Sequence, residues 1–466
     1  MASHVRVKWG KQLLEAVPVD LAQSVFDLKV QLFSLTNVLP EKQKLLNKGK
    51  VMQDPAPLAA SGITDGALLM LMGTAEAFVE PPVPTQFQED ITNEEMAKIY
   101  REKEGLALPS GLQNLGNTCY LNSTVQCLRR VPELRTSLVT YQTTNPNDLA
   151  DRFTGEFGKV IYKLETTAGA VTPLGFVFAV RNCFPQFNQT DDSGSYRQQD
   201  ADECWTSILG VAGSKLRCIT EDGQEASIID NLFRIPLSTQ YTNTEAPEEL
   251  NEPHTEFCSK LSCIIDNQAN PVDFLVDGLR AGLEDSVEKL SESLGRSAIY
   301  KKVQRLEALP PYLTIQFVRF IWKQASDAAG TQATKAKILR KVTFPKVLDV
   351  YDFCTPDVQR ELDVGRDMQR QMREEGKDDS MSLDAELGSG LQTGQYQLIG
   401  VVTHKGRSAD SGHYVGWVHY KDDVWVCYDD DTVEFVTTDD ILRLSGGGDW
   451  HMAYICIYRK LQLVPK

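Results

Sequence analysis

The chain lacks several features that would place it quickly in a class. Its ten cysteines include no CxxC pair, and no apolar run approaches the about 20 residues that a membrane-spanning helix needs. The first residues contain no apolar stretch of the kind found in secretory signals. These absences argue against a zinc ribbon, a disulfide framework and a membrane span. We therefore expect reduced thiols in the cytoplasm or nucleus, with no metal and no other cofactor.

Positive charge is also scarce. Against 64 Asp and Glu there are 48 Lys and Arg, which gives a net charge of -16 and disfavours nucleic acid as a partner. The charge is unevenly spread, because residues 1–74 carry eight basic and six acidic side chains and the remainder carries -18. A chain of 466 residues can bury more than one core. A basic partner, or a basic segment of one, suits the larger part.

The pattern of the first 74 residues predicts a β-grasp domain. "HVRVKW" alternates apolar and basic residues as a half-buried strand does, and a second strand, a helix and the strands "KLLNKG" and "ALLMLMG" follow. The order ββαββ resembles ubiquitin. Residues 75–105 are predicted to be a linker with several prolines, and 106–466 a second domain that mixes helices and strands. Within it, the highly charged stretch 355–393 is predicted to be an insertion that begins as a helix and is mobile from Glu374 onward.

Cys119 lies at an unusual junction in "GLQNLGNTCYLNSTVQCL". A glycine- and asparagine-rich turn precedes it, and the apolar spacing of a helix begins after it. The positive end of a helix dipole favours a thiolate and lowers the thiol pKa, and Asn117 or Thr118 could cap the helix. Cys127, on the same helix, is predicted only to pack in the core. Taken alone, Cys119 is equally well explained as a buried structural thiol.

A thiol nucleophile needs an imidazole, and His413 is the best candidate. It follows glycine in "SADSGHYVGWV", and Asp429, Asp430 and Asp431 follow sixteen to eighteen residues later in "VWVCYDDD". A hairpin between these strands would bring a carboxylate beside the imidazole. The other five histidines lie within strands or lack such a setting: His4, His254, His404, His419 and His451.

Five segments occur in the order found in ubiquitin-specific proteases, and the whole chain resembles the proteasome-associated members of that family. These segments are the cysteine segment, "QQDADECW", "LPPYLTIQFVRF", "SGHYVGWV" and "WVCYDDDTV". The resemblance implies an isopeptidase in which Cys119 is the nucleophile, His413 the base and then the acid, and Asp429 the orienting carboxylate. Asn114 matches the oxyanion donor. Asp430 remains an alternative orienter or a supporting residue.

The resemblance also implies how the C-terminal tail of ubiquitin would be bound. Asp200 and Glu203, spaced three apart on a predicted helix, would read the arginines of that tail, with Gln199 and Tyr414 as further contacts. The alternative for these acidic residues is an ordinary solvated helix face.

The implied fold is α+β: a ubiquitin-like β-grasp domain followed by a papain-like cysteine protease fold with fingers, palm and thumb. The cysteines of the expected fingers, Cys218, Cys258 and Cys263, have the wrong spacing for a zinc ribbon. The implied partners are ubiquitin, ubiquitin conjugates and the regulatory particle of the 26S proteasome. The last would be bound through Leu46, Leu69 and Leu71 of the ubiquitin-like domain, with a place in the β-grasp core as the alternative for one of them. The loops 322–337 and 405–412 are expected to gate the cleft. A catalytically idle ubiquitin receptor and a general papain-like peptidase are the competing hypotheses.

Overall fold

A computed structural model of the chain describes residues 3–21, 23–36, 38, 40–73, 108–220, 223–249, 251–265, 271–323, 334–377, 381–383, 390–406, 411–448 and 450–464. The chain divides into two compact units between Asp90 and Ile91. The predicted linker, 75–105, lies outside the described residues. The domain boundaries at 74 and 106 therefore stay predictions.

The first unit is a five-stranded sheet with one helix. Its elements are β1 (Ser3–Trp9), β2 (Gln12–Val19), α1 (Val25–Thr36), β3 (Lys44–Asn47), β4 (Lys50–Val51) and β5 (Leu68–Met72). The strand order is β2-β1-β5-β3-β4, with β1 and β5 parallel. The first and last strands thus lie side by side at the centre, as the predicted β-grasp requires.

The alternation of β5 corrects the predicted docking surface of this unit. Leu69 and Leu71 point inward and belong to the core with Leu28 and Leu32 of α1, so neither can contact a partner. The opposite face carries exposed apolar side chains, and Leu46 lies there half-buried, directly across from Met70. We call this face the sheet-face patch; it consists of Leu46, Val51, Leu68, Met70 and Met72.

The second unit begins with a helical layer. Its helices are α2 (Cys119–Arg129), α3 (Pro132–Thr140), α4 (Leu149–Thr166), α5 (Leu174–Cys183), α6 (Ala201–Lys215) and α7 (Ile228–Phe233), with a short hairpin of β6 (Arg217–Ile219) and β7 (Glu225–Ser227) before α7. None of the helices in the described part of the chain is both long and apolar enough to cross a membrane.

A large sheet follows the helical layer. Across it run β10 (Leu261–Ile264), β13 (Tyr312–Val318), β22 (Met452–Leu463), β18 (Leu391–Lys405), β19 (His413–Lys421), β20 (Val424–Asp429) and β21 (Thr432–Thr437), with β16 (Val347–Asp349) beside β18 and β17 (Met381–Ser382) beside β22. A second sheet contains β11 (Glu284–Ser291), β12 (Arg296–Leu306), β8 (Ile235–Asn243) and β9 (His254–Cys258). The remaining elements are the hairpin β14 (Phe320–Lys323) and β15 (Thr334–Lys337) and the helices α8 (Leu275–Leu283), α9 (Pro356–Glu374) and α10 (Thr438–Leu442).

Both faces of the large sheet are covered, which explains its nearly continuous apolar strands. In β20, Val424 and Val426 pack into the core on the helical side, whereas Trp425 and Cys427 pack into a second core on the other side. A strand buried on both faces holds its register firmly, because a slip of one residue would exchange the two cores. The sheet is therefore a rigid support for the residues at its edges.

The insertion predicted at 355–393 begins as a helix, as expected for its start, and its mobility from Glu374 onward stays a prediction. Helix α9 is capped by Thr355, whose side chain accepts from the backbone N–H of Val358. Val358, Leu362 and Met372 are buried along one side of the helix, which packs against β18. Charged residues fill its other sides, so the composition resembled that of a disordered segment. Residues 378–380 and 384–389 lie outside the described residues.

A hydrogen-bonded carboxylate holds the tip of the second sheet. Glu249 accepts from Asn243 at 2.7 Å, Ser291 at 2.6 Å, Ser293 at 2.8 Å and Tyr300 at 2.6 Å. These bonds, led by that from Ser291, lower the pKa of Glu249 to about 2. Charge on this carboxylate therefore stabilises the fold at neutral pH.

We expect Glu249→Gln to lower the melting temperature at pH 7, with a difference from wild type that narrows below pH 4.5. A lowered carboxyl pKa contributes stability above the unfolded value, and this stability is lost as the pH falls towards about 2. Thermal unfolding of both proteins across this pH range measures the effect. Glu248→Gln, at the exposed neighbouring residue, is the matched control. A melting difference that is constant with pH would contradict the role of the charge.

Candidate active site

A tight turn places Cys119 at the start of α2. Gly116 and Asn117 have φ of 87° and 53°, both in the left-handed region. The side-chain oxygen of Asn114 accepts from the backbone N–H groups of Gly116 at 3.0 Å and Thr118 at 3.2 Å. Asn114 therefore holds the turn together, and Cys119 is the first helical residue.

The predicted side-chain caps of α2 are not made. Thr118 occupies the N-cap position, but its hydroxyl accepts from the backbone N–H of Leu115 at 2.9 Å instead of from the helix. Asn117 donates to the carbonyl of Tyr196 at 2.8 Å. With no side-chain cap, the positive end of the helix dipole lies next to the sulfur of Cys119. Only 3% of Cys119 is exposed.

The strand pairing brings His413 and Asp429 together. His413 begins β19 and Asp429 ends β20, and their antiparallel pairing places the imidazole Nε2 at 2.5 Å from Oδ1 of Asp429. The hairpin predicted between these residues is thus present. The side chain of Cys119 lies close enough to the imidazole to contribute to the raised pKa of His413. The structure therefore places all three residues in one row.

A glycine in β19 permits this arrangement. A Cβ at Gly416 would lie 3.1 Å from the backbone oxygen of Ser123 in α2, which is tighter than ordinary packing allows. Without a side chain there, α2 packs directly against β19. The start of the helix consequently reaches the start of the strand, where Cys119 and His413 meet.

In the row of Cys119, His413 and Asp429, the His413–Asp429 pair has a defined charge. The hydrogen bond with Asp429, followed by the influence of Cys119, raises the pKa of His413 to about 10. The bond with His413 lowers the pKa of Asp429 below its usual 3.8. At neutral pH the pair is therefore an imidazolium and a carboxylate, and positive charge lies beside the sulfur. Such an imidazole stabilises a thiolate and can donate a proton to a leaving group.

Asp430 does not orient His413, which decides between the two roles left open for it. Its carboxylate accepts from the amide nitrogens of Asn114 at 2.8 Å and Asn122 at 2.7 Å, and its carbonyl accepts from the N–H of Leu112 at 2.8 Å. Asp430 thus aligns Asn114 from the strand side. Sequence reasoning missed Asn122, although its position one turn after the cysteine could have indicated it.

Sequence reasoning also missed Gln198. Its side-chain nitrogen lies 3.9 Å from the sulfur of Cys119, whereas Gln199, the predicted substrate contact, donates to the carbonyl of Arg197 at 3.4 Å. Two adjacent glutamines cannot be told apart by pattern. Only the direction of the loop before α6 shows which of them faces the thiol.

Asp200 and Glu203 do not form the predicted pair on one helix face. Asp200 is the N-cap of α6: its carboxylate accepts from the N–H of Asp202 at 2.8 Å and from the hydroxyl of Tyr454 at 2.8 Å. Glu203 lies in the first turn and is exposed. An aspartate directly before a helix accepts hydrogen bonds from the first backbone N–H groups of that helix. This capping role explains why the Asp200 side chain points towards the helix start. Of the two, Glu203 is the one that faces solvent.

Tyr414 is in the core, so its predicted contact with a substrate is wrong for this structure. Its ring is fully buried, at 4.6 Å from the ring of His404 and 6.2 Å from that of Tyr454. The strand alternates from His413, which faces the cleft, to Tyr414, which faces inward. Proximity in sequence to the candidate histidine was therefore misleading.

His451, which lacked a recognisable setting in the sequence, lies next to the site. Its ring is 6.4 Å from that of His413, and burial lowers its pKa to about 4, so it is neutral. Its Nδ1 lies 3.3 Å from the hydroxyl of Thr403. His451 directly precedes β22, and only the pairing of β22 with β18 brings it here from a distant part of the chain.

The described residues contain one group with ligand atoms close enough to hold a metal ion, formed by His413, Asp429 and Asp430. Each member already has a hydrogen-bond partner within the site. Cys218, Cys258 and Cys263 are not part of any such group among the described residues.

Comparisons with known proteins address both units. The family described as ubiquitin carboxyl-terminal hydrolase matches residues 110–458, and the ubiquitin family matches residues 5–76. Among curated proteins, ubiquitin carboxyl-terminal hydrolase 6 of Arabidopsis thaliana is 40% identical, with 98% of each chain covered. Hydrolase 6 of Schizosaccharomyces pombe is 34% identical, also with 98% of each chain covered. Hydrolase 14 of Caenorhabditis elegans is 33% identical over 97% of this chain and 92% of its own.

We expect Asp429→Asn to lower the pKa of His413 by at least about one unit, because it removes the carboxylate that raises this value most. The imidazolium would then be lost at a lower pH than in the wild type, where it persists up to about 10. NMR titration of the histidine ring resonances measures this directly. Asp422→Asn, an exposed change on the β19–β20 turn, is the control. An unchanged His413 titration would contradict the inferred pairing.

Proposed function

This chain belongs to the ubiquitin carboxyl-terminal hydrolase family and is a thiol-dependent ubiquitin hydrolase, and we propose that Cys119, His413 and Asp429 carry its reaction. The predicted α+β fold, a ubiquitin-like domain with a hydrolase domain, is confirmed. The observation that supports the assignment is the row in which Asp429 is hydrogen-bonded to His413 and Cys119, at the start of a helix, lies next to the imidazole.

In the first half of the reaction, the Cys119 thiolate attacks the carbonyl carbon of the last glycine of ubiquitin. The carbonyl π electrons move to oxygen, and a tetrahedral intermediate forms. When this intermediate collapses, the C–N bond breaks, and the His413 imidazolium gives its proton to the departing amine. Ubiquitin remains attached to the sulfur as a thioester. Asp429 holds the imidazole towards the sulfur throughout.

In the second half, the neutral His413 accepts a proton from water. The hydroxide attacks the thioester carbon, the C–S bond breaks, and ubiquitin leaves with a free carboxylate. Asn114 is the proposed donor to the oxyanion in both halves, a contribution of about 10²–10³ in rate for such a donor. Its carbonyl oxygen is engaged by the turn and its amide nitrogen by Asp430, so the amide group is fixed before substrate arrives.

Replacing Cys119 by Ala should reduce hydrolysis by at least about 10³-fold, because the nucleophile is lost. Ubiquitin binding should remain. Release of a fluorophore from the ubiquitin C-terminus measures the rate, and fluorescence polarisation measures binding. Cys127→Ala is the matched control on the same helix: Cys127 is buried, and burial raises its pKa to about 12. It should lower stability with little effect on rate. Hydrolysis near the wild-type rate in the Cys119→Ala protein would contradict the assignment.

Glu203 is the proposed contact for the arginines in the ubiquitin tail. It is exposed in the first turn of α6, the helix whose preceding loop carries Gln198 to the thiol. Asp200 supports this contact indirectly by capping the helix. The -18 charge of residues 75–466 favours such a basic segment.

We also propose that this hydrolase acts at the proteasome in the cytoplasm or nucleus, removing ubiquitin from conjugates there. The ubiquitin-like domain supports this, because its sheet-face patch presents apolar side chains of which Met70 is 51% exposed. The low exposure of Cys119 supports a slow isolated enzyme that a partner accelerates. All ten cysteines are free thiols, as a reducing compartment requires. The centres of the predicted gating loops, 324–333 and 407–410, lie outside the described residues.

In the full chain, Met70→Asp should weaken the increase in hydrolysis that proteasomes produce, with an apparent affinity at least about 10-fold lower. A carboxylate at the centre of an apolar contact would be desolvated and unpaired in the complex, which is costly. Hydrolysis by each variant across an enzyme dilution series, with and without proteasomes, measures this. Val30→Asp, an equally exposed apolar position on α1, is the control. Equal proteasome affinity for both variants would overturn the proposed surface.

A further inference from the structure

A second imidazole lies directly behind the candidate catalytic histidine. His404 is fully buried near the end of β18, and its ring packs against Phe320 at 5.4 Å and Tyr414 at 4.6 Å. In the β18–β19 pairing, His404 is opposite Tyr414, and Lys405 is opposite His413. His404 thus lies one residue before the position opposite His413, the residue that must contact Cys119.

Lys337 binds this imidazole from the neighbouring hairpin. Its ammonium lies 2.7 Å from Nδ1 of His404, 2.8 Å from the carbonyl of His404 and 3.1 Å from the carbonyl of Gly406. A lysine ammonium only donates, so Nδ1 must accept and the ring proton must be on Nε2. Burial, aided by the charge of Lys337, lowers the pKa of His404 to about 3 and keeps the ring neutral. The lysine therefore selects one tautomer and one ring orientation.

The edge of this ring that bears Nε2 supports the backbone before His413. A Cβ at Gly412 would lie 2.5 Å from Nε2 of His404, and a Cβ at Gly406 would lie 2.9 Å from the Cα of Gly412. Both glycines have positive φ, 122° at Gly406 and 139° at Gly412. The two glycine backbones are therefore packed against each other and against the imidazole, and the next residue is His413.

We propose that Lys337 and His404 are positioning residues for the hydrolytic reaction: the ammonium fixes the His404 ring, and the ring fixes Gly412 and thereby the place of His413 between Cys119 and Asp429. This proposal rests on the proposed role of His413. The alternative is a buried histidine that only fills space in the core. The two differ in consequence, because a displacement of about 1 Å at a reacting group can cost about 10²-fold in rate, whereas a packing defect lowers stability alone.

The test compares Lys337→Met, His404→Phe and the double variant in the full chain. Each single change should lower kcat by about 10-fold, with KM for a ubiquitin–fluorophore substrate within about two-fold of wild type. The double variant should be no slower than the slower single variant, because both changes break the same contact between Lys337 and His404. Lys341→Met, an exposed lysine shortly after β15, is the matched control and should keep the wild-type kcat.

Several outcomes would overturn the proposal: an unchanged kcat with a lowered melting temperature, a loss in KM alone, or rate losses that multiply in the double variant. If Lys337→Met does not fold, Lys337→Arg replaces it. The planar guanidinium of arginine cannot direct its donors to the same three acceptors as the lysine ammonium. A lowered kcat at an unchanged melting temperature would therefore support the proposal, and a normal kcat would overturn it. His413→Ala is the reference: full activity there would refute the proposed function itself, whatever Lys337 does.

Discussion

The hydrogen bond between His413 and Asp429 is the interaction on which the rest of the site depends. It joins the first residue of β19 to the last residue of β20, so it exists only in one register of that pairing. The register is held by two cores, one on each face of the sheet. The charge of the imidazole, the placement of a cation beside the sulfur and the order of proton transfers all follow from this one contact.

Two supports approach the row from opposite sides. On one side, Asp430 receives the amides of Asn114 and Asn122 and so connects the strand end to the turn and helix around Cys119. On the other, Lys337 and His404 lie behind the glycine that precedes His413. Asp430 accepts from both asparagine amides, and the ammonium of Lys337 donates to three acceptors around His404, which limits how far either group can move. The candidate site is therefore held by side chains from distant parts of the chain.

The corrections share a cause. Asp200, Tyr414, Leu69 and Leu71 each belong to a segment that was correctly recognised, but each faces a different way from the expected one. Asp200 lies one residue before its helix begins, and the other three lie on the inward side of their strands. A side chain in a strand reverses its direction with every residue. Recognition of a motif therefore does not decide which of its members is exposed.

The sequence by itself determined the kind of protein, through its resemblance to a family, and it named Cys119, His413 and Asp429 as candidates while leaving Asp430 open as an alternative to Asp429. A thiol at a glycine-to-helix junction, a histidine behind glycine and a carboxylate after the next strand are local features with local physical reasons. The ββαββ order is equally local, because it follows from apolar alternation and turn residues. Tertiary structure alone decided that Asp430 serves Asn114, that Gln198 faces the sulfur, and that Lys337, His404 and His451 lie close to His413. Those contacts join residues far apart in the chain, and they depend on strand register and on the close approach of α2 to Gly416, which no local pattern encodes.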